Sequence, residues 1–348
     1  MKNRKYSIII GILIIIAFPA CDGFIDENNE NFDWDPKLDV YVAGYVEEQD
    51  NYEGRATLWK NGIAQTISTE DSRAESVYVS GTDVYVAGEV RNRDGFMSTW
   101  RATLWNNGTV QRLSTQDSDA RSVYVSGADV YVAGGVGSET DRKATFWKNG
   151  AEQILSTQWS DAFFVYISGA DVYVAGYVYV EEEQDHYEKR ATLWKNGIEQ
   201  ILSTQKSSAR SVYVSGADVY VAGLVMAYDY RATLWKNGTE QTLYSEFSDA
   251  FSVYVSGTNV YVAGVREIGP SYRPYISAMS WKSGTAQPLS KQYSFAYSVY
   301  GSGADMYVAG FDRDSGTKID LATLWKNGAR KRLSKQNSSA SSVFIVSK

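Results

Sequence analysis

Four pairs of residues, each pair four positions apart, could bind a ligand through ring stacking and charge. The pairs are Trp159 and Phe163, Lys206 and Arg210, Phe247 and Phe251, and Tyr293 and Tyr297. Aromatic rings stack on sugar rings or peptide planes, and paired cations hold a carboxylate or phosphate group. One interpretation is a shallow binding site for an anionic glycan or an acidic peptide. The alternative is that the rings pack between structural units and bind nothing, because aromatic side chains are more often core than ligand contacts.

A second group of chemically capable residues lies in the segment 177–190. This segment contains five acidic residues, Glu181, Glu182, Glu183, Asp185 and Glu188. Ca²⁺ accepts such ligands, but their spacing matches no calcium-binding loop and the run lacks the glycine of an EF-hand turn. His186, the only histidine of the chain, has no second ligand beside it. We therefore expect a solvated acidic loop, no metal site and no cofactor.

The residue types needed for catalysis are scarce. A serine nucleophile needs a base, and the single histidine has no fixed context. A zinc site needs three protein ligands, usually His or Cys, and the chain has one of each. Carboxylates that recur once per repeat, such as Asp83 and Asp129, suit a structural turn cap. The sequence therefore predicts that the protein is not an enzyme.

The elements that must position these residues are strands, and the chain contains the same set seven times. One copy, within residues 122–157, has the four strand-like runs SVYVSG, DVYVAG, KATFWKNG and EQILST, rich in Val, Tyr, Thr and Trp. Asn-Gly, which tolerates the positive φ of a type I′ turn, joins the last two strands in six copies, and Ser283-Gly284 replaces it in the other. A tryptophan marks each third strand, at Trp59, Trp105, Trp147, Trp194, Trp235, Trp281 and Trp325. Their spacing of 41 to 47 residues is typical of propeller blades.

The two ends of the repeat region predict how the ring closes. The repeats begin at Asp39 with a second strand, and the chain finishes with SSVFIVSK, a first strand without successors. Joined, these pieces complete one blade and leave no free edge around the ring. The sequence thus predicts an all-β, seven-bladed β-propeller over residues 39–348, with four antiparallel strands per blade. The first blade consists of residues 39–69 plus 341–346.

Length variation between the copies is confined to the loop between the second and third strands, which has eight to fourteen residues. Because strands alternate in direction, this loop and the link from each fourth strand to the next blade lie on the same end of the ring. The four pairs belong to these links, and the other three links carry Asp71 and Glu75, Asp117 and Arg121, and Asn337 and Ser341. The aromatic and basic pairs thus occupy one sector near the channel mouth, on the kind of loop where scaffold folds place binding residues.

The N-terminus has the layout of a secretory signal peptide, residues 1–20. A basic start precedes an apolar core at residues 8–18, and Ala20 precedes Cys21, the only cysteine. This resembles the lipobox of bacterial lipoproteins, which implies that Cys21 is lipidated, although Phe18 stands where that pattern prefers Leu. An ordinary cleaved signal beside a stray cysteine is the alternative. Residues 21–38 are acidic and Asn-rich, and we expect a flexible tether.

The acidic balance of the chain argues against nucleic acid as a partner. The net charge is −7, and removal of residues 1–20 makes it −10 because three basic and no acidic residues are lost. Binding to nucleic acid depends on Lys and Arg that neutralise phosphates. With a single cysteine, the fold also has no intramolecular disulfide.

The repeats resemble those of bacterial propeller-repeat lipoproteins, whose blades carry vYvaG followed by a.lWkNG, and the similarity extends over residues 39–346. The resemblance implies a propeller fold and a lipid anchor but no particular activity. We therefore expect a monomeric, membrane-anchored lipoprotein of the cell envelope, periplasmic or surface-exposed. Its variable-loop face would bind a glycan or protein partner without catalysis. The alternative is a carbohydrate-active enzyme, a polysaccharide lyase or hydrolase, that uses the channel mouth.

Overall fold

A computed structural model describes residues 32–48, 52–93, 98–183, 186–269 and 274–348. The predicted signal peptide, the lipidation site Cys21 and most of the predicted tether lie outside these residues. The described residues form seven antiparallel sheets of four strands each. The prediction of a seven-bladed β-propeller is therefore confirmed.

The two inner strands of each blade surround the central axis. The innermost strands are β4 (Ser72–Ser80), β8 (Ser118–Ser126), β12 (Ser160–Ser168), β16 (Lys206–Ser215), β20 (Ser248–Ser256), β24 (Ser294–Ser302) and β28 (Ser338–Ser347). The second strands are β1 (Leu38–Glu47), β5 (Asp83–Asn92), β9 (Asp129–Val136), β13 (Asp171–Glu183), β17 (Asp218–Met226), β21 (Asn259–Ile268) and β25 (Asp305–Arg313). Each innermost strand contacts the innermost strands of both neighbouring blades.

The two outer strands complete each blade. The third strands are β2 (Gly54–Lys60), β6 (Thr99–Asn106), β10 (Lys143–Lys148), β14 (His186–Lys195), β18 (Tyr230–Lys236), β22 (Tyr275–Lys282) and β26 (Asp320–Lys326). The fourth strands are β3 (Ile63–Thr66), β7 (Thr109–Arg112), β11 (Ala151–Ile154), β15 (Ile198–Ile201), β19 (Thr239–Thr242), β23 (Thr285–Pro288) and β27 (Ala329–Arg332). These fourth strands are short and mostly exposed, which limits pairing with other chains.

The ring closes as the chain ends predict. β28 pairs with β1, with Val343 opposite Val42, and thereby supplies the innermost strand of the first blade. The Asn-Gly turns also adopt the expected geometry. Asn61 and Gly62 have φ values of 50° and 79°, as a type I′ turn requires.

The hydrophobic core lies between the blades. Trp235 is fully buried in a cluster that includes Tyr173 and Leu193 of the preceding blade, and the other six third-strand tryptophans are equally buried. These seven rings fill the wedge between neighbouring sheets, which explains why the sequence repeats them.

A serine at the start of each innermost strand fastens that blade to the preceding one. Ser160 Oγ accepts a hydrogen bond of 2.9 Å from Ala144 N and donates one of 2.9 Å to Gln158 O. The same bond from an alanine N–H to a serine Oγ recurs at Ser72, Ser118, Ser207, Ser248, Ser294 and Ser338. Seven identical contacts therefore fix where every innermost strand begins.

Candidate functional site

Each innermost strand contains a β-bulge that turns one residue out of the strand pairing. In β12, Ala162 pairs with Gly176 and Phe164 pairs with Ala175, which leaves Phe163 without a partner. A Cβ on Gly176 would lie 2.0 Å from Asp161 O, so only glycine fits opposite the bulge. The bulged residues of the seven blades are Glu75, Arg121, Phe163, Arg210, Phe251, Tyr297 and Ser341. The glycine of the repeated VYVAG motif thus permits the bulge.

All seven bulged residues line a single cavity of about 420 Å³ around the central axis. The cavity lies at the end of the propeller where the innermost strands begin, which is the end that carries the variable loops. Tyr45 and Arg73 add to its wall. A bulge is a common device for aiming a side chain at a functional site.

The structure brings together four of the eight residues proposed from the sequence. Phe163, Arg210, Phe251 and Tyr297 line the cavity and are half-buried. The other four, Trp159, Lys206, Phe247 and Tyr293, precede the strand-starting serine and do not belong to the cavity lining. They lie at the rim, where Trp159 and Phe247 are 37% and 44% exposed.

Cations and rings alternate along one side of the cavity. The guanidinium of Arg121 lies 4.6 Å from the centroid of the Phe163 ring, and that of Arg210 lies 4.9 Å from the same centroid. Arg210 is also 5.8 Å from the ring of Phe251. The Phe163 ring therefore lies between two guanidinium groups, an arrangement that the attraction between cations and aromatic faces stabilises.

Two carboxylates, the buried Asp161 and the half-buried Asp119, hold Arg121 in place. Arg121 Nη1 is 2.9 Å from Asp161 and Nη2 is 3.0 Å from Asp119. Arg142 contacts both carboxylates from the other side. Burial raises the pKa of Asp161, and the nearby positive charge of Arg121 opposes that rise. Arg121 is therefore a fixed cation whose direction is set by its partners.

Arg210 is less completely paired. Its Nη2 lies 3.2 Å from Asp249 Oδ2, whereas its buried Nε has no hydrogen-bond partner among the described residues. Burial raises the pKa of Asp249 to about 6, and Arg210 acts against that shift. An unpaired buried donor costs free energy that a ligand acceptor can recover.

Burial shifts the pKa of two glutamates near the cavity upwards. Burial raises the pKa of Glu75, with Arg73 and Arg121 opposing the shift. Burial also raises the pKa of Glu89 to about 8, and the negative charge of Asp119 raises it further. A raised pKa lessens the negative charge that these two glutamates place near the arginines.

The opposite side of the cavity is aromatic. The rings of the cavity residues Phe251 and Tyr297 lie 5.6 Å apart. Phe295, which contacts Tyr297 at 5.6 Å, does not line the cavity and stacks on Phe311 at 5.2 Å. Burial raises the pKa of Tyr297, which keeps its phenol protonated. The cavity thus has a charged side and an apolar side.

A ring of aromatic side chains encircles the axis three residues beyond the bulges. Its members are Tyr78, Tyr124, Tyr166, Tyr213, Tyr254, Tyr300 and Phe344, with neighbouring centroids 4.6 to 5.1 Å apart. These phenols are protonated at neutral pH, as ordinary tyrosines are, and burial raises the pKa of Tyr78 and of Tyr166 further. This ring is not among the site residues predicted from the sequence, although its signal is the Tyr of every SVYV run.

The acidic segment 177–190 is not the open loop that we expected. Residues Asp171–Glu183 and His186–Lys195 are the paired strands β13 and β14. Glu182 and Glu188 both contact Arg190, and His186 lies 3.5 Å from Glu188. The ion pair of Glu182 with Arg190 joins the two strands, whereas Glu188 and Arg190 lie on the same strand. The described residues contain no cluster of three or more possible metal ligands.

Comparison with known proteins identifies the fold but does not indicate an activity. No protein-family model matches the chain, and no curated protein matches it in sequence. The β-propeller domain of the Trilobed protease from Pyrococcus furiosus is similar, with a TM-score of 0.56, 14% identity, and coverage of 87% of this chain and 94% of that one. That domain is described as having an open velcro topology, whereas strand β28 closes the ring here.

The acylaminoacyl peptidase of Pyrococcus horikoshii is also similar, with a TM-score of 0.54, 13% identity, and coverage of 87% of this chain and 51% of that one. The chain therefore spans about half the length of that peptidase. A helix able to cross a membrane is not found among the described residues. At such identities, the comparisons establish that this chain shares the β-propeller fold with propeller domains of peptidases.

Proposed function

We propose that this protein is a lipoprotein of the cell envelope that presents its propeller as a binding module, without catalysis. Its ligand carries an anionic group next to a ring or other apolar surface and enters the central cavity. One observation carries the proposal: seven bulged residues meet in one cavity, where Arg121, Phe163 and Arg210 alternate cation and ring. Ligand sites typically have a mostly apolar wall with a small number of polar groups that point at the ligand.

The charge around the cavity favours an anion. Burial lowers the pKa of Lys189, and the positive charges of Arg210 and Lys206 lower it further. Burial is the largest cause of this shift, and the contributions of Arg210 and Lys206 show that positive charge lies next to Lys189. An incoming carboxylate or sulfate would relieve this repulsion.

The N-terminal segment supports an outward-facing cavity. Lys326 Nζ donates to Asp33 O, and Lys348 Nζ donates to Pro36 O, so this segment packs against the end of the propeller that carries the hairpin turns. β1 then runs from Leu38 at that end to Glu47 at the cavity end. If Cys21 is lipidated, as the lipobox resemblance implies, the tether would leave from the face opposite the cavity.

Binding of a broad array of anionic and neutral glycans and acidic peptides to the chain purified in detergent tests the proposal. The decisive variant combines Arg210→Gln with Asp249→Asn, which removes the cation without leaving a buried unpaired carboxylate. The matched control is Arg112→Gln, on an outermost strand away from the cavity.

We expect saturable binding of an anionic ligand without product formation, at least tenfold weaker in the double variant and unchanged in the control. Turnover of the ligand would show that the protein is an enzyme and not a binding module without catalysis. Binding that the double variant leaves unchanged, or no binding to a folded sample, would overturn the assignment of the cavity.

A further inference from the structure

Aromatic rings of the fourth blade form a continuous path from solvent into the cavity. Trp159 stacks on Tyr179 with the ring planes nearly parallel, 10° apart, and the centroids 3.9 Å apart. Tyr179 contacts Tyr177 at 5.7 Å, and Tyr177 contacts the cavity residue Phe163 at 5.7 Å. We call these four residues, Trp159, Tyr179, Tyr177 and Phe163, the blade-4 track. Its outer end is exposed and its inner end lies between two arginines.

A cation accompanies the middle of the blade-4 track. Lys189 Nζ lies 4.3 Å from the ring centroid of Tyr177 and 5.5 Å from that of Tyr179. Lys189 comes from β14, the strand that pairs with the track's own strand β13. Tyr177 itself is only 6% exposed, so the accessible ring surface lies at the two ends of the track, at Trp159 and Phe163, and the positive charge of Lys189 lies between them.

The fourth blade departs from the other blades where the track lies. A serine in six blades accepts a hydrogen bond from the next blade, as Ser122 Oγ does from Val165 N at 3.2 Å, but Phe164 occupies this position in the fourth blade. The hairpin of β13 and β14 is also the longest, with strands of 13 and 10 residues. Both departures break the regularity of the repeat. One adds an aromatic ring and the other adds strand length beside the cavity mouth.

The geometry of the track suits a sugar chain better than a peptide. Peptides commonly bind by adding a strand to a free sheet edge. Here Tyr177 pairs with Asp161 on one side and with Ala191 on the other, and Tyr179 N donates to Trp159 O at 2.8 Å. With its backbone already paired, the track presents side-chain rings and a cation, which stack on sugar faces and hold acidic substituents.

We propose that the ligand is an acidic oligosaccharide. One uronate group binds at Arg121 and Arg210 inside the cavity, and the following sugars lie along the blade-4 track as far as Trp159. This inference rests on the proposed binding function and adds the ligand class and a second subsite. It predicts that affinity depends on chain length.

The test uses the full chain in detergent with oligogalacturonates and oligomannuronates of one to eight residues and neutral cello-oligosaccharides of equal length. The variants are Trp159→Ala, the Arg210→Gln and Asp249→Asn combination, and Tyr228→Ala as a control. Tyr228 is fully exposed and lies outside the track. Thermal unfolding of each variant confirms that it is folded.

We expect the affinity for uronates to rise at least tenfold from monomer to tetramer. Trp159→Ala should abolish this gain while leaving monomer binding unchanged, and the double variant should weaken every length. Uronate binding that is independent of oligosaccharide length and of Trp159 would contradict the role of the blade-4 track as a subsite, but it would leave the cavity assignment intact. Binding of acidic peptides and not of any uronate would overturn the ligand class. The absence of any anionic ligand would overturn the proposed function itself.

Discussion

The side chain of Arg210 stacks on Phe163 of the preceding blade, with its guanidinium 4.9 Å from the ring centroid. This contact links two blades through their bulged residues at the wall of the cavity. The same guanidinium lies 3.2 Å from Asp249 Oδ2, so it contacts a ring of one neighbouring blade and a carboxylate of the other. The contact is therefore both a structural link and part of the proposed site.

A double-mutant cycle measures this link directly. Using Arg210→Gln and Phe163→Leu in an Asp249→Asn background, we expect a coupling of about 0.5–1 kcal/mol in the free energy of unfolding. The Asp249→Asn background avoids a buried unpaired carboxylate. Urea denaturation gives the four values, and the cycle of Phe163→Leu with Arg112→Gln is the control. Coupling of equal size in both cycles would show that the two groups do not interact.

Glu89 should make stability decrease as the pH rises. Burial raises its pKa from 4.5 to about 8, so between these values the folded chain keeps a proton that the unfolded chain releases. The stabilising contribution is complete below pH 4.5 and is lost as the pH passes 8. Glu89→Gln should therefore stabilise the protein at pH 9 by about 1–3 kcal/mol and change little at pH 4.5. The value is reduced for solvent screening because Glu89 is only half-buried.

Urea unfolding at pH 4.5, 7 and 9 checks this behaviour. Glu240→Gln, at an exposed position of a fourth strand, is the control and should give no pH-dependent difference. Equal effects of Glu89→Gln at pH 4.5 and pH 9 would mean that this carboxyl does not titrate across that range.

Ser122→Ala should destabilise the junction between two blades. Ser122 is 1% exposed, and its Oγ accepts the hydrogen bond of Val165 N in the neighbouring blade. Without that oxygen a buried N–H loses its partner, which costs about 1–3 kcal/mol. Ser126→Ala, four residues later on the same strand and half-buried, should cost less than about 0.5 kcal/mol. Chemical denaturation distinguishes the two variants, and equal losses would contradict a role for the inter-blade bond.

The fold was predictable because several separate features of the sequence indicate the same architecture. Asn-Gly turns, third-strand tryptophans such as Trp235 and the first strand at the chain end all indicate one closed propeller, and packing between blades uses these same residues. Repetition made the signal strong, since the same local choice appears in every blade.

The candidate site was only half predictable, and the β-bulge is the physical reason. In a regular strand, residues four apart share a face, so Trp159 and Phe163 seemed equivalent. The bulge between Ala162 and Phe164 sends Phe163 into the cavity, and Trp159 lies before β12 begins. A bulge is not visible in the spacing of the variable residues themselves. Its only signal was the glycine of VYVAG that faces it.

The buried acids beside the arginines were missed for a different reason. Asp119, Asp161 and Asp249 follow the strand-starting serine, and the same position holds other residue types in the remaining blades. Comparing this position between the repeats shows acids in three blades, but not which arginine each acid contacts. Their ion pairs depend on how neighbouring blades approach, which sequence spacing does not encode.

Trp235→Ala should destabilise the protein by about 3–5 kcal/mol, because removing a fully buried indole leaves a cavity between two blades. Trp159→Ala is the matched control: its ring is 37% exposed and contacts mainly one face of Tyr179, so the loss should be about 1 kcal/mol or less. Guanidinium denaturation followed by circular dichroism compares the two. If Trp159→Ala costs as much as Trp235→Ala, the Trp159 ring is structural packing, and the ligand role proposed for the rim is wrong.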